Sequence, residues 1–315
     1  EGEEFLITGH EALAEVTEVG DEVEWLDAGD LVVPSVRRPC ARRDCPACRG
    51  GNQDFCLTGE YTERGIKGAH GFLAEAVVEE SRYLTSVPRE LRDVAVLTEP
   101  LTIAEKALRQ WMEVERRLPW NAQADDAAVL RGKQAVVIGA GPVGQLGAML
   151  LLSRGLRVTV YSRSPEPNDK ASLARSVGAE YVSSEETRFA QLAEHLGRVD
   201  LVYEAAGASK VAFEVLRGLG TNGAFIFTGV PGRKERFEID GAAIMKHVVL
   251  NNQAVLGTVN ASRGDFTAAV RDLERFHGAW PDALRGIITA RHPLAEFCER
   301  ASDKGGIKHV IAVGE

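Results

Sequence analysis

With 315 residues, 44% of them hydrophobic and 26% charged, the chain is long enough for two domains with separate cores and ordinary in composition for a globular protein. Its net charge of −9 excludes the basic footprint of a nucleic-acid binder, and no apolar run approaches the roughly 18 to 20 residues of a membrane span. No signal-peptide pattern opens it, so the expected partner is a small molecule, with neither nucleic acid nor membrane, and the expected compartment is cytoplasmic.

From the start to about residue 98, short strand-like runs are punctuated by glycine and proline: Ala12 to Val19, Leu31 to Pro34, Phe72 to Val78 and Tyr83 to Val87. A cysteine-rich insertion interrupts this β pattern. Pro100 then precedes a helix predicted over Thr102 to Arg117, where Ile103, Ala107, Leu108, Trp111, Met112 and Val114 recur at helical spacing. Leu118 to Asp126, with Pro119, Asn121 and two aspartates, reads as a linker.

Next comes the stretch that orders the rest. Ala135 to Ile138 is the short apolar, β-branched-rich run that a strand buried on both faces requires. Gly139, Gly141 and Gly144 follow in G-x-G-x-x-G spacing, Gln145 to Arg154 reads as a helix, and Val158 to Tyr161 as a second strand. Further strands are predicted at Val199 to Tyr203, Ala224 to Thr228 and Val248 to Leu256, with helical segments between them. That alternation means an α/β domain with a parallel sheet. After Gly257 a helix is predicted over Asp265 to Phe276 and a closing strand over His309 to Val313. The expected organisation is a nucleotide-binding domain, 131–258, inserted into a split β-rich domain, 1–130 plus 259–315.

The glycine spacing has a physical cause. One glycine lets the chain turn tightly, one lets backbone approach a pyrophosphate, and one lets helix and strand pack closely. The phosphates then sit on unpaired N–H groups at the positive end of the helix. The motif lies between a strand and a helix, which favours dinucleotide binding over a packing turn. At the end of the second strand an acidic residue would bind the ribose 2′-OH of NAD, whereas arginine with small polar neighbours suits the 2′-phosphate of NADP. Here the residues are Tyr161-Ser162-Arg163-Ser164. The prediction is NADP preferred with NAD tolerated; the competing reading makes Arg163 a solvated loop residue.

Cys40, Cys45, Cys48 and Cys56 are spaced C-x4-C-x2-C-x7-C. Four thiolates on one loop suit a closed tetrahedral structural zinc, with a redox dithiol or unrelated core thiols as alternatives. Cys298 sits alone on a helical pattern and reads as packing. His10, in Thr8-Gly9-His10-Glu11-Ala12, reads on its own as a core histidine. Glu99 stands directly before Pro100. An imidazole and a carboxylate brought together with an open position would make a catalytic zinc site.

Gly9-His10-Glu11, the four-cysteine lobe, Glu99-Pro100 and Gly139 to Gly144 occur in the order found in medium-chain zinc-dependent dehydrogenases. The runs Arg37 to Cys40, Asp54-Phe55-Cys56, Thr58 to Tyr61, Glu63 to Ile66, Glu99-Pro100-Leu101 with Glu105-Lys106, and Gly257 to Asn260 resemble the glucose 1-dehydrogenase branch over essentially the whole chain. The resemblance implies a GroES-like catalytic domain split by an inserted Rossmann domain. It also implies a zinc- and NAD(P)-dependent oxidation of β-D-glucose at C1 to the lactone, and a homodimer or homotetramer. By the same likeness His10 is a catalytic zinc ligand, Glu11 a ligand or near-ligand, and Glu99 a ligand that can exchange with water or contact sugar. Glu60 and Asn260 resemble sugar-contacting positions. Gly139, Gly141, Pro142, Val143 and Gly144, with Ser162 and Arg163, Thr228, Gly229 and Val230, Thr258, Val259 and Asn260, and Lys308, resemble cofactor contacts. Glu60 as a solvated loop acid and Lys308 as a surface lysine are the plainer alternatives.

Two departures accompany the likeness. The branch carries its first zinc ligand, a cysteine or aspartate followed by a small residue and Thr-Asp, upstream of Gly-His-Glu, whereas these residues open on Glu1-Gly2. The expectation is therefore a preceding segment, or a metal held by fewer groups. The first cysteine gap of the lobe is also longer than the usual two residues. Other readings are a polyol, alcohol or threonine dehydrogenase of the same superfamily and a catalytically silent NADPH-binding regulator.

Overall fold

The computed structural model describes residues 5–232, 236–300 and 305–314. The chain divides into two compact units, one running to Ile103 and resuming at Val259, the other Ala104–Thr258.

The first unit opens with β1 (Ala14–Glu15), β2 (Leu31–Pro34) and β3 (Arg37–Arg38), then a helical turn, α1 (Pro46–Arg49), inside the cysteine segment. It continues through β4 (Thr62–Arg64), β5 (Gly68–Ala69) and β6 (Leu84–Val87) into helix α2 (Thr98–Arg116), within which the unit boundary falls. Strands β1, β2 and β6 form one antiparallel sheet, and β3, β4 and β5 a mixed one in which β3 is antiparallel and β5 parallel to β4. Pro100 falls in the first turn of α2, where a missing N–H costs nothing, so the helix starts four residues before the predicted Thr102.

The second unit runs through α3 (Asp126–Leu130), β7 (Gln134–Ile138), α4 (Pro142–Ser153), β8 (Arg157–Ser162), α5 (Asp169–Ser176), β9 (Glu180–Ser183), α6 (Phe189–Leu196), β10 (Val199–Glu204), α7 (Ser209–Leu216), β11 (Leu219–Phe227), α8 (Gly241–Leu250) and β12 (Ala254–Gly257). All six strands are parallel, in the order β12-β11-β10-β7-β8-β9. The order reverses at β7, so the crevice outside the carboxyl ends of β7 and β10 is where such a sheet takes a ligand. Every residue of β7 and of β10 is buried, as strands covered on both faces require. Val136, Ile138, Tyr161, Phe189, Leu192, Val202, Val215 and Phe225 belong to one core cluster. Helix starts are pinned locally: Asp125 Oδ1 accepts from the Ala128 N–H and Asn168 Oδ1 from the Ala171 N–H, each at 2.9 Å.

The chain then returns to the first unit as α9 (Arg263–Ala279), α10 (Pro281–Gly286), β13 (Ile288–Pro293), α11 (Phe297–Arg300) and β14 (Lys308–Ala312), with β13 and β14 a parallel pair. A reciprocal capping box starts α9: Ser262 Oγ accepts from the Asp265 N–H, and Asp265 Oδ2 from the Ser262 N–H.

Three sequence expectations are corrected. Phe72 to Val78 is not a strand. The amides of Gly71, Phe72 and Leu73 bond to the carbonyls of Ile7, Gly9 and Thr8, but Gly9 has φ +86°, which breaks any ladder there. Of Ala12 to Val19, only Ala14–Glu15 is strand, with Val16 adding backbone bonds to Gly29 and Asp30. Val248 to Leu256 is two elements, the end of α8 and then β12, split by Asn252 at φ +48°. Strand β9 carries no clear signal in the sequence, because its four residues alternate in burial at the sheet's edge.

Candidate active site

The sequence folds the four cysteines around one point. Cys45 caps α1, Cys48 lies within it, and Cys40 and Cys56 flank the segment. One sulfur from each lies within 4.8 Å of all the others, and all four are free of disulfides. Sulfurs on a tetrahedral zinc at about 2.3 Å stand about 3.8 Å apart, so the set fits that metal. Amides of Cys48 and Leu57 hold the Cys45 thiol below its ordinary range. At Cys56 burial is outweighed by the Thr58 hydroxyl and amide, which bring it to about 6. Burial pushes Cys48 up to about 12. Such an array favours thiolate ligands and needs a cation to hold them all.

The second cluster is His10, Glu11 and Glu99, whose ligand atoms also all lie within 4.8 Å of one another. His10 and Glu11 come from the loop before β1, and Glu99 from the first turn of α2. His10 is thus no core histidine; its side chain is 39% exposed. Glu99 is buried, and that burial, with the carboxylates of Glu11 and Glu63 raising it and Lys308 lowering it, brings its carboxyl up to about 8. Carboxylates packed this way repel one another, and a divalent cation beside the imidazole would relieve that. The donor set, one nitrogen and two oxygens, fits zinc with a position open.

Lys308 opens β14 and forms an ion pair with Glu11, so it is no free surface lysine. Asn260 is buried with φ +60°; its Nδ2 donates to Glu63 Oε1 at 2.9 Å. Glu63 also accepts both Nε and Nη2 of Arg37, at 3.0 and 2.9 Å. This Arg37–Glu63–Asn260 network escaped the motif reading, since its members lie 26 and 197 residues apart. Glu60 remains on an exposed loop, its carboxylate 3.9 Å from Arg42, outside the His10 cluster.

In the second unit Gly139, Gly141, Pro142, Val143 and Gly144 form the turn from β7 into α4, with Pro142 the first helical residue. A Cβ on Gly144 would lie 2.1 Å from the Gly139 carbonyl oxygen, so the turn closes only with glycine there. Ser162 ends β8, and Arg163 follows it, exposed and without an ion pair among the described residues. Thr228, Gly229 and Val230 leave β11, and Thr258 leaves β12 with its N–H on the Phe227 carbonyl. Val259 and Asn260 begin the returning part of the first unit. No helix among the described residues is long and apolar enough to cross a membrane.

Residues 92–313 match the family described as glucose dehydrogenase C-terminus, and residues 2–89 match the alcohol dehydrogenase GroES-like domain. The glucose 1-dehydrogenase of Methanocella arvoryzae is 36% identical over 314 residues, covering 99% of this chain and 84% of the relative. The chain belongs to the glucose 1-dehydrogenase family. A further member of that family, from Metallosphaera sedula, is 38% identical over 312 residues, covering 98% of this chain and 82% of the relative. The solved structure of Haloferax mediterranei glucose dehydrogenase in complex with NADP, Zn and gluconolactone matches with a TM-score of 0.87 at 33% identity, over 100% of this chain and 85% of that one. The GroES-like domain and Rossmann-type parallel sheet expected from the sequence are therefore those of the glucose 1-dehydrogenase branch of the medium-chain zinc-dependent dehydrogenases.

Proposed function

We propose that the chain is a zinc-dependent glucose 1-dehydrogenase that oxidises an aldose, β-D-glucose, at C1 to the lactone, with NADP preferred over NAD. The convergence of His10, Glu11 and Glu99 carries this reading, because an imidazole and two carboxylates in one small volume are a donor set suited to a divalent metal. Those residues hold the catalytic zinc, and Cys40, Cys45, Cys48 and Cys56 hold the structural one. Zinc held there would supply Lewis-acid polarisation of the C1 hydroxyl, whose proton passes to solvent as the C1 hydrogen passes as hydride to the nicotinamide.

The chain's own groups set orientation. Lys308 fixes Glu11 through its ion pair, and Asn260, itself fixed by Glu63, presents its amide to sugar and cofactor. Glu99 contacts sugar, and the family likeness makes Glu60, on its exposed loop, a second sugar-contacting residue. A pocket that hydrogen-bonds hydroxyls rejects analogues lacking them. The turn Gly139 to Gly144 cradles the pyrophosphate on the amino end of α4, and Ser162 and Arg163 take the 2′-phosphate. Thr228 to Val230 and Thr258 to Asn260 line the remainder of the dinucleotide. The protein works in the cytoplasm, where its free cysteines stay reduced. It assembles as a homodimer or homotetramer. A second copy suits the apolar side chains left exposed on consecutive elements, Met245, Val249 and Leu250 of α8 and Val255 of β12, the latter an edge strand.

The test is NADP reduction with a panel of aldoses, polyols, simple alcohols and threonine. Reduction with β-D-glucose that a chelator abolishes and zinc restores is the expected result. No turnover of any aldose at full zinc occupancy would overturn the reading.

A further inference from the structure

Glu204 ends β10 at the carboxyl edge of the sheet, beside β7, where the strand order reverses. It is 1% exposed, an unusual place for a carboxylate that has no basic partner among the described residues. Instead it is held by backbone. Its Oε1 accepts from the Ala206 N–H at 2.9 Å and the Ala208 N–H at 3.3 Å, and its Oε2 accepts from the Gly229 N–H at 3.2 Å. Its main-chain carbonyl takes the Thr228 hydroxyl at 2.7 Å.

One side chain thereby fastens the loop after β10 to the loop after β11. The contacts extend to the phosphate turn. The Ala206 Cβ stands 3.0 Å from where a Cβ on Gly139 would be, and the Val230 carbonyl oxygen 2.7 Å from the same point on Gly207. At Gly229 a Cβ would meet Glu204 Oε2 at 2.7 Å, so the loop can lie on the carboxylate only as glycine. Three loops from β7, β10 and β11 are packed on one another around a group that faces none of the solvent.

We infer that Glu204 is a positioning residue for the dinucleotide: it sets the backbone of residues 205–208 and 228–230 against the phosphate turn before cofactor arrives. The inference rests on the proposed dinucleotide role of this sheet. Preorganisation of that kind acts on binding, because disordered loops must be ordered at the moment the ligand enters. The chemistry at the zinc does not pass through Glu204.

Glu204→Gln separates these effects, since the amide keeps its shape and one acceptor but turns an NH2 toward a backbone N–H. The readout is NADPH binding by fluorescence titration of the zinc-loaded protein, with melting temperature, zinc content and glucose kinetics alongside. The expected result is an NADPH Kd and an NADP KM raised about tenfold or more, kcat at saturating NADP within about twofold, and zinc content unchanged. Glu204→Asp, which keeps both oxygens but is shorter by one carbon, should fall between the two and serves if the glutamine variant does not fold. A folded variant that binds NADPH within about twofold of wild type would overturn the inference. So would a drop in melting temperature with kcat lost in step with affinity, which would leave Glu204 a fold residue only. Wild-type protein that binds no NADPH would sink the dinucleotide reading itself, a result independent of the variants.

Discussion

Arg163 follows the last residue of β8, exposed, on the loop where an acidic side chain would accept bonds from a ribose 2′-OH. A hydrogen bond to a charged group is worth about 1.5 to 3 kcal/mol, so Arg163→Ala should raise the NADP KM about ten- to a hundredfold while leaving NAD almost unchanged. Steady-state kinetics with both cofactors checks this, and equal effects on the two would remove Arg163 from cofactor selection. Glu99→Gln has a different signature. A neutral amide cannot replace a carboxylate ligand, so the variant should lose the catalytic zinc, keep the cysteine-bound one and abolish glucose oxidation, as metal analysis and assay together would show. The residues in these predictions are legible in the sequence because each stands at a motif edge: Gly9-His10-Glu11, Glu99-Pro100, Ser162-Arg163. Arg37 and Glu63 open two of the runs shared with the branch but carry no chemical signal there, and Glu204 stands in no motif. Glu63 and Arg37 meet each other and Asn260 only through folding, and Glu204 ends a strand whose apolar run conceals a buried acid.

Among elements, those with a strong local period are read correctly and those whose pairing is set by distant residues are not. Strand β7 and the core of α2 follow from composition and spacing alone. Strands β3, β4 and β5, of two or three residues each, carry no period to read. Helix α2 also shows what spacing misses on its polar side. Glu115, the penultimate residue of the helix and 1% exposed, accepts from Trp111 Nε1 at 3.1 Å and Asn121 Nδ2 at 3.0 Å and pairs with Lys133 Nζ at 3.1 Å. Lys133 precedes β7 and lies 3.7 Å from Asp200 of β10, so one buried acid ties helix to sheet. Glu115→Ala leaves an indole and an amide without their acceptor and the Lys133 ammonium with Asp200 alone, and should destabilise by about 2 to 3 kcal/mol. Urea denaturation followed by far-UV circular dichroism would show the midpoint shift with an unchanged slope; a shift below about 1 kcal/mol would mean the network is replaced by water.

At the scale of the molecule, the motif order predicts an inserted nucleotide domain, and the two compact units share the chain at Ile103/Ala104 and Thr258/Val259. Met245, Val249, Leu250 and Val255 are exposed without a function inside one chain. For the proposed homodimer or homotetramer, Met245→Glu with Val255→Lys should give a monomer in light scattering, with NADPH binding retained; an unchanged oligomeric mass would place the interface elsewhere. The units also differ in what supports them. The second has a continuous core from Val136 to Phe225 and contains no candidate metal cluster among the described residues. Both candidate clusters lie in the first, whose cysteine segment contributes Cys40 and Cys45 to the buried set but surrounds them with short turns. Structural zinc in such a lobe supplies folding free energy directly, about 10 to 16 kcal/mol in isolated zinc-finger peptides. Stripping both metals should thus abolish glucose oxidation and expose residues 40–56 to protease, while NADPH binding stays within a few-fold of the zinc-loaded protein. Limited proteolysis with mass mapping and fluorescence titration read the two halves separately. Loss of NADPH binding in parallel with cleavage of the lobe would mean that the sheet does not hold its fold alone.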